Sequence, residues 1–454
     1  MKIQIDGSVV GVGVTAWARS GIAGLVSNFS VVAGKAAQEN SQLGFPVIVG
    51  KPKKQNTSSI LRDPVVQKYL QLLNKPYIFV YKSTKQVEAT VDKLGLRLIG
   101  NRSGIRDAYE DKRQFRVIGK EAGLPMIEGE TIKIADLKPR LGVVLQLTDY
   151  SRGGGVGTWF IKTKEDWDKF DEFVKRRGKQ RQLEWVNVTR LIEGTAASIT
   201  VCVTKYGVLT GVVQGQIIDQ PELAALAGRS GVWLGHDWSG QGFSALVQER
   251  AEKIVIRLGE YMAKKGYRGI FGVDLVVDQD EGTWPIECNS RYTGAFPTYT
   301  WASIKNGETP LDYWHLLEFM GVPYELDIEK VQQQNRQPKS GAQILMHNLE
   351  GTSARVTGEI KAGVYSLKGE YVRQGWNLLH LQGEDEFVLT DGVPLQGQAL
   401  KPAERLGRLL FNRAIVDETG RLLPEIRDLV GNLYQRFNLQ RISKLERLRE
   451  NIVE

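Results

Sequence analysis

The sequence predicts an α/β (α+β) protein, and three observations carry the expectation. Across residues 1–100, short apolar runs at 46–49, 77–81 and 96–99 alternate with segments of helical period such as 84–94, the pattern of parallel strands joined by helices. An amphipathic segment, 246–264, sets Ala251, Ile254, Leu258 and Met262 on one face. It leads into two apolar-rich runs, 273–277 and 284–288, separated by Asp278-Gln279-Asp280-Glu281-Gly282, which reads as a β-hairpin.

A chain of 454 residues exceeds one ordinary core. Three regions are expected: an N-terminal α/β domain (1–100), a central two-lobed region (101–325), and a C-terminal region (341–454) that is β-rich and then helical. The polar stretch 329–340 reads as a linker. The C-terminal region should hold strands near 342–346, 363–365 and 387–389 and helices over 402–416 and 424–450, either completing the central fold or docking on it.

Composition is that of a soluble globular protein, 42% hydrophobic and 25% charged. Sixty Lys and Arg against 52 Asp and Glu give a net charge of +8, a mild bias toward anionic ligands rather than the clustered charge of a nucleic-acid binder. The basic residues of the last helix (Arg441, Lys444, Arg447, Arg449) read as a solvated face, so no nucleic-acid partner is expected. Cys202 and Cys288 lie in apolar β-like runs and suggest neither a disulfide framework nor a zinc site; a reducing, cytoplasmic location is expected. Residues 9–18 loosely imitate a signal peptide, but Gln4, Asp6, Gly7 and Ser8 interrupt its apolar stretch. No apolar run approaches the roughly 20 residues that cross a bilayer, so no membrane partner is expected.

The hairpin states its chemistry most directly. Folding about Asp280 sets Asp274 opposite Glu287, with cross-strand side chains about 5 Å apart. Alternation along the strand puts Asn289 on the face of Glu287 and Cys288 on the other. Two carboxylates so close either raise one pKa or require a cation. Asp, Glu and Asn oxygens without His or Cys suit Mg²⁺, with Mn²⁺ as a substitute; the expected metal ligands are Asp274, Glu287 and Asn289. Arg291 adds a planar donor for phosphate or carboxylate oxygens. A surface hairpin with an acidic rim is the alternative.

The remaining segments are less specific. Gly11-Val12-Gly13 reads as turn or tight-packing glycines rather than a dinucleotide fingerprint, which would need a third Gly at its proper spacing. Ser103 is placed to cap a helix running to about Ala122, on which Lys112 and Arg116 stand one turn apart and can face one anion. Arg152, Gly153, Gly154, Gly155 and Gly157 lie between two strands, a loop whose N–H groups can cover an oxyanion or which is simply a flexible hairpin. Arg190, Leu191, Ile192 and Glu193 join two strands, suited either to reading an adenine edge, with Glu193 near a ribose hydroxyl, or to plain connection. The stretch 221–244 reads as a long loop that helps hold substrate, with His236 in a structural role.

Taken in order, Asp111-Lys112 with Gly123-Leu124-Pro125, the Gly-rich segment 151–158, Ile192-Glu193-Gly194, Gly272-Val273-Asp274 and Glu287-Cys288-Asn289-Ser290-Arg291 resemble an ATP-grasp carboxylate–amine ligase over roughly residues 100–320. The resemblance implies an ATP-grasp fold in which two lobes clamp ATP, preceded by an α/β domain. It implies ATP and Mg²⁺ as cofactors, with Lys112, Gln146, Arg152, the flap glycines and residues 190–193 on the nucleotide. Gln146 stands where the family commonly has Lys, with Arg152 positioned to compensate, and Thr189 where it often has Glu. Activation of a carboxylate as an acyl phosphate, displaced by an amine or other nucleophile, is the implied reaction, with Lys112 and Arg291 as catalytic groups. Partners would be small carboxylate and amine substrates, amino-acid or peptide-like among them, with a homodimer left open. A non-catalytic ATP-binding sensor or scaffold of the same fold is the alternative that Gln146 motivates.

Overall fold

The computed structural model describes residues 2–148, 157–181, 183–224, 231–239, 242–443 and 446. At the N-terminus, five parallel strands run in the order Val47–Val49, Phe29–Ala33, Val9–Gly13, Tyr77–Val80, Arg97–Ile99. Two of the three wholly buried strands, Val9–Gly13 and Phe29–Ala33, escape the sequence reading because Gly and Ser interrupt their apolar runs. The glycines are packing residues: a Cβ on Gly11 would stand 2.8 Å from Arg19 Cβ, which lies on the helical turn Trp17–Gly24 that follows. Strand order reverses between Val9–Gly13 and Tyr77–Val80, creating a crevice at their C-terminal ends.

Ten antiparallel strands form the main sheet, in the order Thr283–Asn289, Gly269–Asp278, Gly194–Thr204, Gly207–Ile218, Trp233–Asp237, Ala342–His347, Arg405–Phe411, Glu386–Thr390, Gly363–Ser366, Tyr371–Arg373. The C-terminal region therefore completes the central fold: Gly235 pairs with Ile344 at the seam. The stretch expected to be one long loop, 221–244, contributes that seam strand. Residues 402–416, expected to be helical, hold the strand Arg405–Phe411. Leu406, Leu409 and Leu410 satisfy a helical period equally well, and burial inside a sheet overrides it. The helix expected over 424–450 is Pro424–Phe437; Asn438 turns left-handed at φ 45° and the chain re-enters a strand, Leu439–Arg441. Leu445 and Leu448 lie outside the described residues. Nor is 329–340 a linker: the helix Ile328–Asn335 covers its first half, and Arg336 pairs with buried Glu252 while Lys339 is buried against Glu308.

Gly235 tests the seam. A Cβ there would lie 1.9 Å from the Gln343 carbonyl oxygen, a backbone atom that cannot give way. Gly235→Ala is expected to destabilise the protein by about 1–3 kcal/mol, read from urea midpoints.

A third sheet, ordered Gly129–Lys133, Trp185–Arg190, Val143–Leu147, Thr158–Ile161, is covered by the helix Lys164–Arg181. Leu145, Leu147, Ile161, Phe170, Val186 and Val188 form its small separate core. Residues 191–193 join this lobe to the main sheet. The single helix expected over 103–122 is two, Ser103–Glu110 and Lys112–Glu121. Asp111 is extended (φ −68°, ψ 120°), and its side chain accepts from the N–H groups of Arg113 and Gln114, so it caps the second helix and breaks the first. Ser103 does not cap; its hydroxyl bonds Glu88 instead.

Candidate functional site

The hairpin has the register expected of it. Asp274 pairs with Glu287 and Gly272 with Asn289; a bulge then sets Leu275 opposite Pro285, which the ladder tolerates because Thr283–Asn289 is the sheet's edge strand. Asp274 Oδ2 accepts from Asn289 Nδ2 at 2.9 Å and Oδ1 from Gln216 Nε2 at 2.8 Å. Glu287 Oε2 meets Lys112 Nζ at 3.2 Å and Gln146 Nε2 at 3.5 Å. Burial, and then the charge of Glu287, push the Asp274 carboxyl up to about 7. The expectation of three converging oxygens needs one correction. Asn289 turns its nitrogen toward Asp274 and its Oδ1 to Arg291 Nη2, at 2.7 Å, so it meets a cation between the carboxylates with oxygen only after its amide turns over.

Lys112 reaches Glu287 because Asp111 restarts the helix there; the Lys112 carbonyl is held by Asn187 Nδ2 at 3.0 Å. Arg116 does not share its target. Its guanidinium binds the Gly129 carbonyl at 2.7 Å. Arg291 is fixed from behind: Nε donates to Glu110, Nη1 to the Tyr81 hydroxyl, and Glu110 also holds Arg106 and, at 2.7 Å, Lys82. Sequence reasoning missed Gln216, Glu110 and Tyr81, which come from three other elements and carry no local signal.

Residues 190–193 form the link between lobes. The N–H of Arg190 bonds Glu128 O at 3.0 Å and that of Leu191 bonds Gly142 O at 2.9 Å. Ile192 is half-buried and Glu193 exposed, its carboxylate 3.0 Å from Lys162 Nζ. Gly157 belongs to the base of its hairpin, its carbonyl accepting from Leu147 N at 2.9 Å. Arg152, Gly153, Gly154 and Gly155 lie outside the described residues. His236 is buried, bonds Gln343 at 2.9 Å, and is pushed down to about 3 by burial and Arg408, a structural histidine. A cavity of about 750 Å³ lined by Trp238, Phe243, Gln248, Glu252 and Arg336 contains none of these site residues.

Two carboxylates, an amide and nearby cationic donors form a hard-oxygen site; burial first and then the charge of Glu287 raise Asp274, and a divalent cation relieves that repulsion. Among the described residues no group of three or more His, Cys, Asp or Glu offers a competing cluster. Residues 153–295, spanning the link and the hairpin, match the family model of an ATP-grasp domain. The chain carries an ATP-grasp domain. Along nearly its full length the chain shares its fold with solved structures of low sequence identity. The biotin carboxylase domain of 2-oxoglutarate carboxylase from Hydrogenobacter thermophilus, a dimer solved with MgADP, ADP and bicarbonate, is 14% identical with a TM-score of 0.61, over 90% of this chain and 86% of that one. Biotin carboxylase from Campylobacter jejuni, solved with a β,γ-ATP complex, is 13% identical, TM-score 0.59, over 89% and 87%. N5-carboxyaminoimidazole synthase from Aspergillus clavatus, with ADP and 5-aminoimidazole ribonucleotide, is 12% identical, TM-score 0.56, over 94% and 99%. No curated protein sequence matches the chain. Gln146 of the third sheet reaches Glu287 of the hairpin at 3.5 Å. Among the described residues no helix is long and apolar enough to cross a membrane.

Proposed function

We propose that this protein is an ATP-dependent, Mg²⁺-dependent ligase that activates a substrate carboxylate as an acyl phosphate and joins it to an amine or another nucleophile. The observation that carries the reading is the Asp274–Glu287 pair, held by Lys112 and Asn289, with Glu287 3.5 Å from Gln146 of the third sheet, which would be the covering lobe. Asp274, Glu287 and Asn289 would hold Mg²⁺, which supplies neutralisation of phosphoryl oxygens. The linker 190–193 would take the adenine, and the flap segment with Arg152 the phosphates. Lys112 stands beside Glu287 to orient the transferred phosphoryl group. Arg291, clamped by Glu110, Tyr81 and Asn289, would present its fixed positive charge and the second Nη2 N–H to the carboxylate as it becomes an acyl phosphate. Closure of the covering lobe would keep water from that intermediate.

Gln146 supports a second reading, a nucleotide-binding sensor: it is neutral and lies 3.5 Å from Glu287, where a cation would aid phosphate binding. Release of ADP from ATP and Mg²⁺ in the presence of pooled carboxylic acids and amines separates the two. The ligase reading expects release that needs both pools; ATP binding with no release from any pool would leave the sensor.

The charge pair also predicts a pH signature. In the metal-free protein Asp274 titrates near 7 rather than its ordinary 3.8, so the stability it contributes is full below about pH 4 and is lost as pH rises through 7. Added Mg²⁺ should offset that loss, with affinity rising about tenfold per pH unit below 7, measured by isothermal titration.

A further inference from the structure

The main sheet splits beside the strand Gly207–Ile218. Trp233–Asp237 pairs with that strand only from Gly215 to Ile218, and beyond Asp237 the ladder stops. The rungs that a longer strand would fill are taken by one side chain: Gln248 accepts from Val213 N at 2.8 Å and donates to Gly211 O at 3.1 Å. The gap is the cavity of about 750 Å³, within the roughly 300–1,000 Å³ that small-molecule sites occupy. Trp238 and Phe243 give it an aromatic wall; the first turns of the helix Ala245–Lys264 and residues 336–340 close the other sides.

Most charges on these walls already have partners. Buried Asp237 accepts from the N–H groups of Ser239 at 2.7 Å and Ile415 at 2.8 Å. Lys339 is buried against Glu308 at 2.8 Å and the carbonyls of Asn335 at 3.1 Å and Gln337 at 2.8 Å. Exposed Glu249 pairs with Lys253, and buried Glu252 accepts from Arg336 Nε at 2.9 Å and Gln248 Nε2 at 2.8 Å. The group left over is a donor. Arg336 turns Nε and Nη2 to Glu252, its side chain stays 53% exposed, and Nη1 has no partner among the described residues. The N–H of Ala245, in the first helical turn, is likewise unpaired among them. Aromatic faces beside a guanidinium edge that Glu252 holds in place select a flat apolar body bearing a carboxylate.

We propose that this cavity is a second ligand site, separate from the metal and nucleotide centre, and that it takes a small aromatic carboxylate, with the ring against Trp238 and Phe243 and the carboxylate on Arg336 Nη1. The cavity lies beyond Gly207–Ile218 on the side away from the hairpin, and Gly194–Thr204 stands between that strand and the one bearing Asp274. Two strand spacings, roughly 10 Å, therefore separate Asp274 from the near wall. A ligand here is bound without reacting, and the inference stands independently of the ligase reading.

The full chain is titrated calorimetrically with 3-phenylpropionate, alone and saturated with MgADP. Two further probes divide the ligand: 3-phenylpropanamide keeps the body without the charge, and propionate keeps the charge without the ring. Binding of 3-phenylpropionate is expected with and without MgADP, each partial probe binding about tenfold or more weakly. Arg336→Gln should weaken it about tenfold, Arg336→Lys should restore part of the loss, and Phe243→Ala should weaken it about tenfold. Because Arg336→Gln also takes a partner from Glu252, urea midpoints are read on every variant; Phe243→Ala touches no ion pair and decides the matter if Arg336→Gln does not fold. No binding of 3-phenylpropionate, equal binding of the amide, or binding unchanged in Phe243→Ala overturns the proposal. Binding abolished by MgADP overturns it as well, since the probe then occupies the nucleotide site.

Discussion

Replacing Glu287 by glutamine is expected to lower ATP-dependent ADP release about a thousandfold or more while leaving the fold intact. Glutamine keeps the size and the hydrogen-bonding capacity of the residue, so Gln146 retains a partner and the hairpin its register. What disappears is the charge that faces Lys112 at 3.2 Å and that, with Asp274, makes the site attractive to a divalent cation. The variant should also remove the repulsion that, after burial, raises Asp274, and so lower the pH at which that carboxyl titrates. ADP release, Mg²⁺ titration and circular dichroism on the same preparation check all three consequences. Undiminished release would count against the metal assignment, and a collapsed spectrum against a purely local role.

Glu110 is expected to matter as much to the fold as to the chemistry. Its largely buried carboxylate is the common partner of Arg291, Arg106 and Lys82. Glu110→Ala leaves that cluster uncompensated and should cost about 3–5 kcal/mol of stability, as removal of one partner from a buried ionic network does. Burial alone would raise this carboxyl, but Arg291, Lys82 and Arg106 outweigh it and hold it below its ordinary 4.5. A depressed carboxylate contributes stability that is present above that value and is lost as pH falls through the lower folded one. The wild-type protein should therefore lose stability on acidification below about pH 4.5, and Glu110→Ala should flatten that limb of the curve, read from urea midpoints at several pH values. Arg291 in the variant would lose its ionic anchor and keep only Tyr81 and Asn289, so any folded fraction should also lose turnover.

The carboxylate pair was legible because a hairpin is a local object. Turn residues at 278–282 and the two-residue period of the strands place Asp274 opposite Glu287 with no help from the rest of the chain. The same holds for the helix Ala245–Lys264, whose apolar face follows a 3.6 period, and for the α/β alternation at the N-terminus. Lys112 was assigned to the site by motif, yet the reason it reaches Glu287 is the break at Asp111, where a capping side chain wins over helix continuation.

What the sequence by itself determined, then, is the class of fold and the oxygen-rich centre of the site, since both follow from patterns a few residues long. Tertiary structure alone decided that Arg405–Phe411 is a strand, that the C-terminal region extends the main sheet through Gly235 and Ile344, and that Gln216 meets Asp274 while Glu110 and Tyr81 hold Arg291. Leu406, Leu409 and Leu410 suit a helix and a buried strand alike, and only the neighbours that cover them choose between the two. Contacts such as Arg291 with Glu110 join residues separated by 181 positions, a distance over which no local period carries information and only the packed core brings charge to charge.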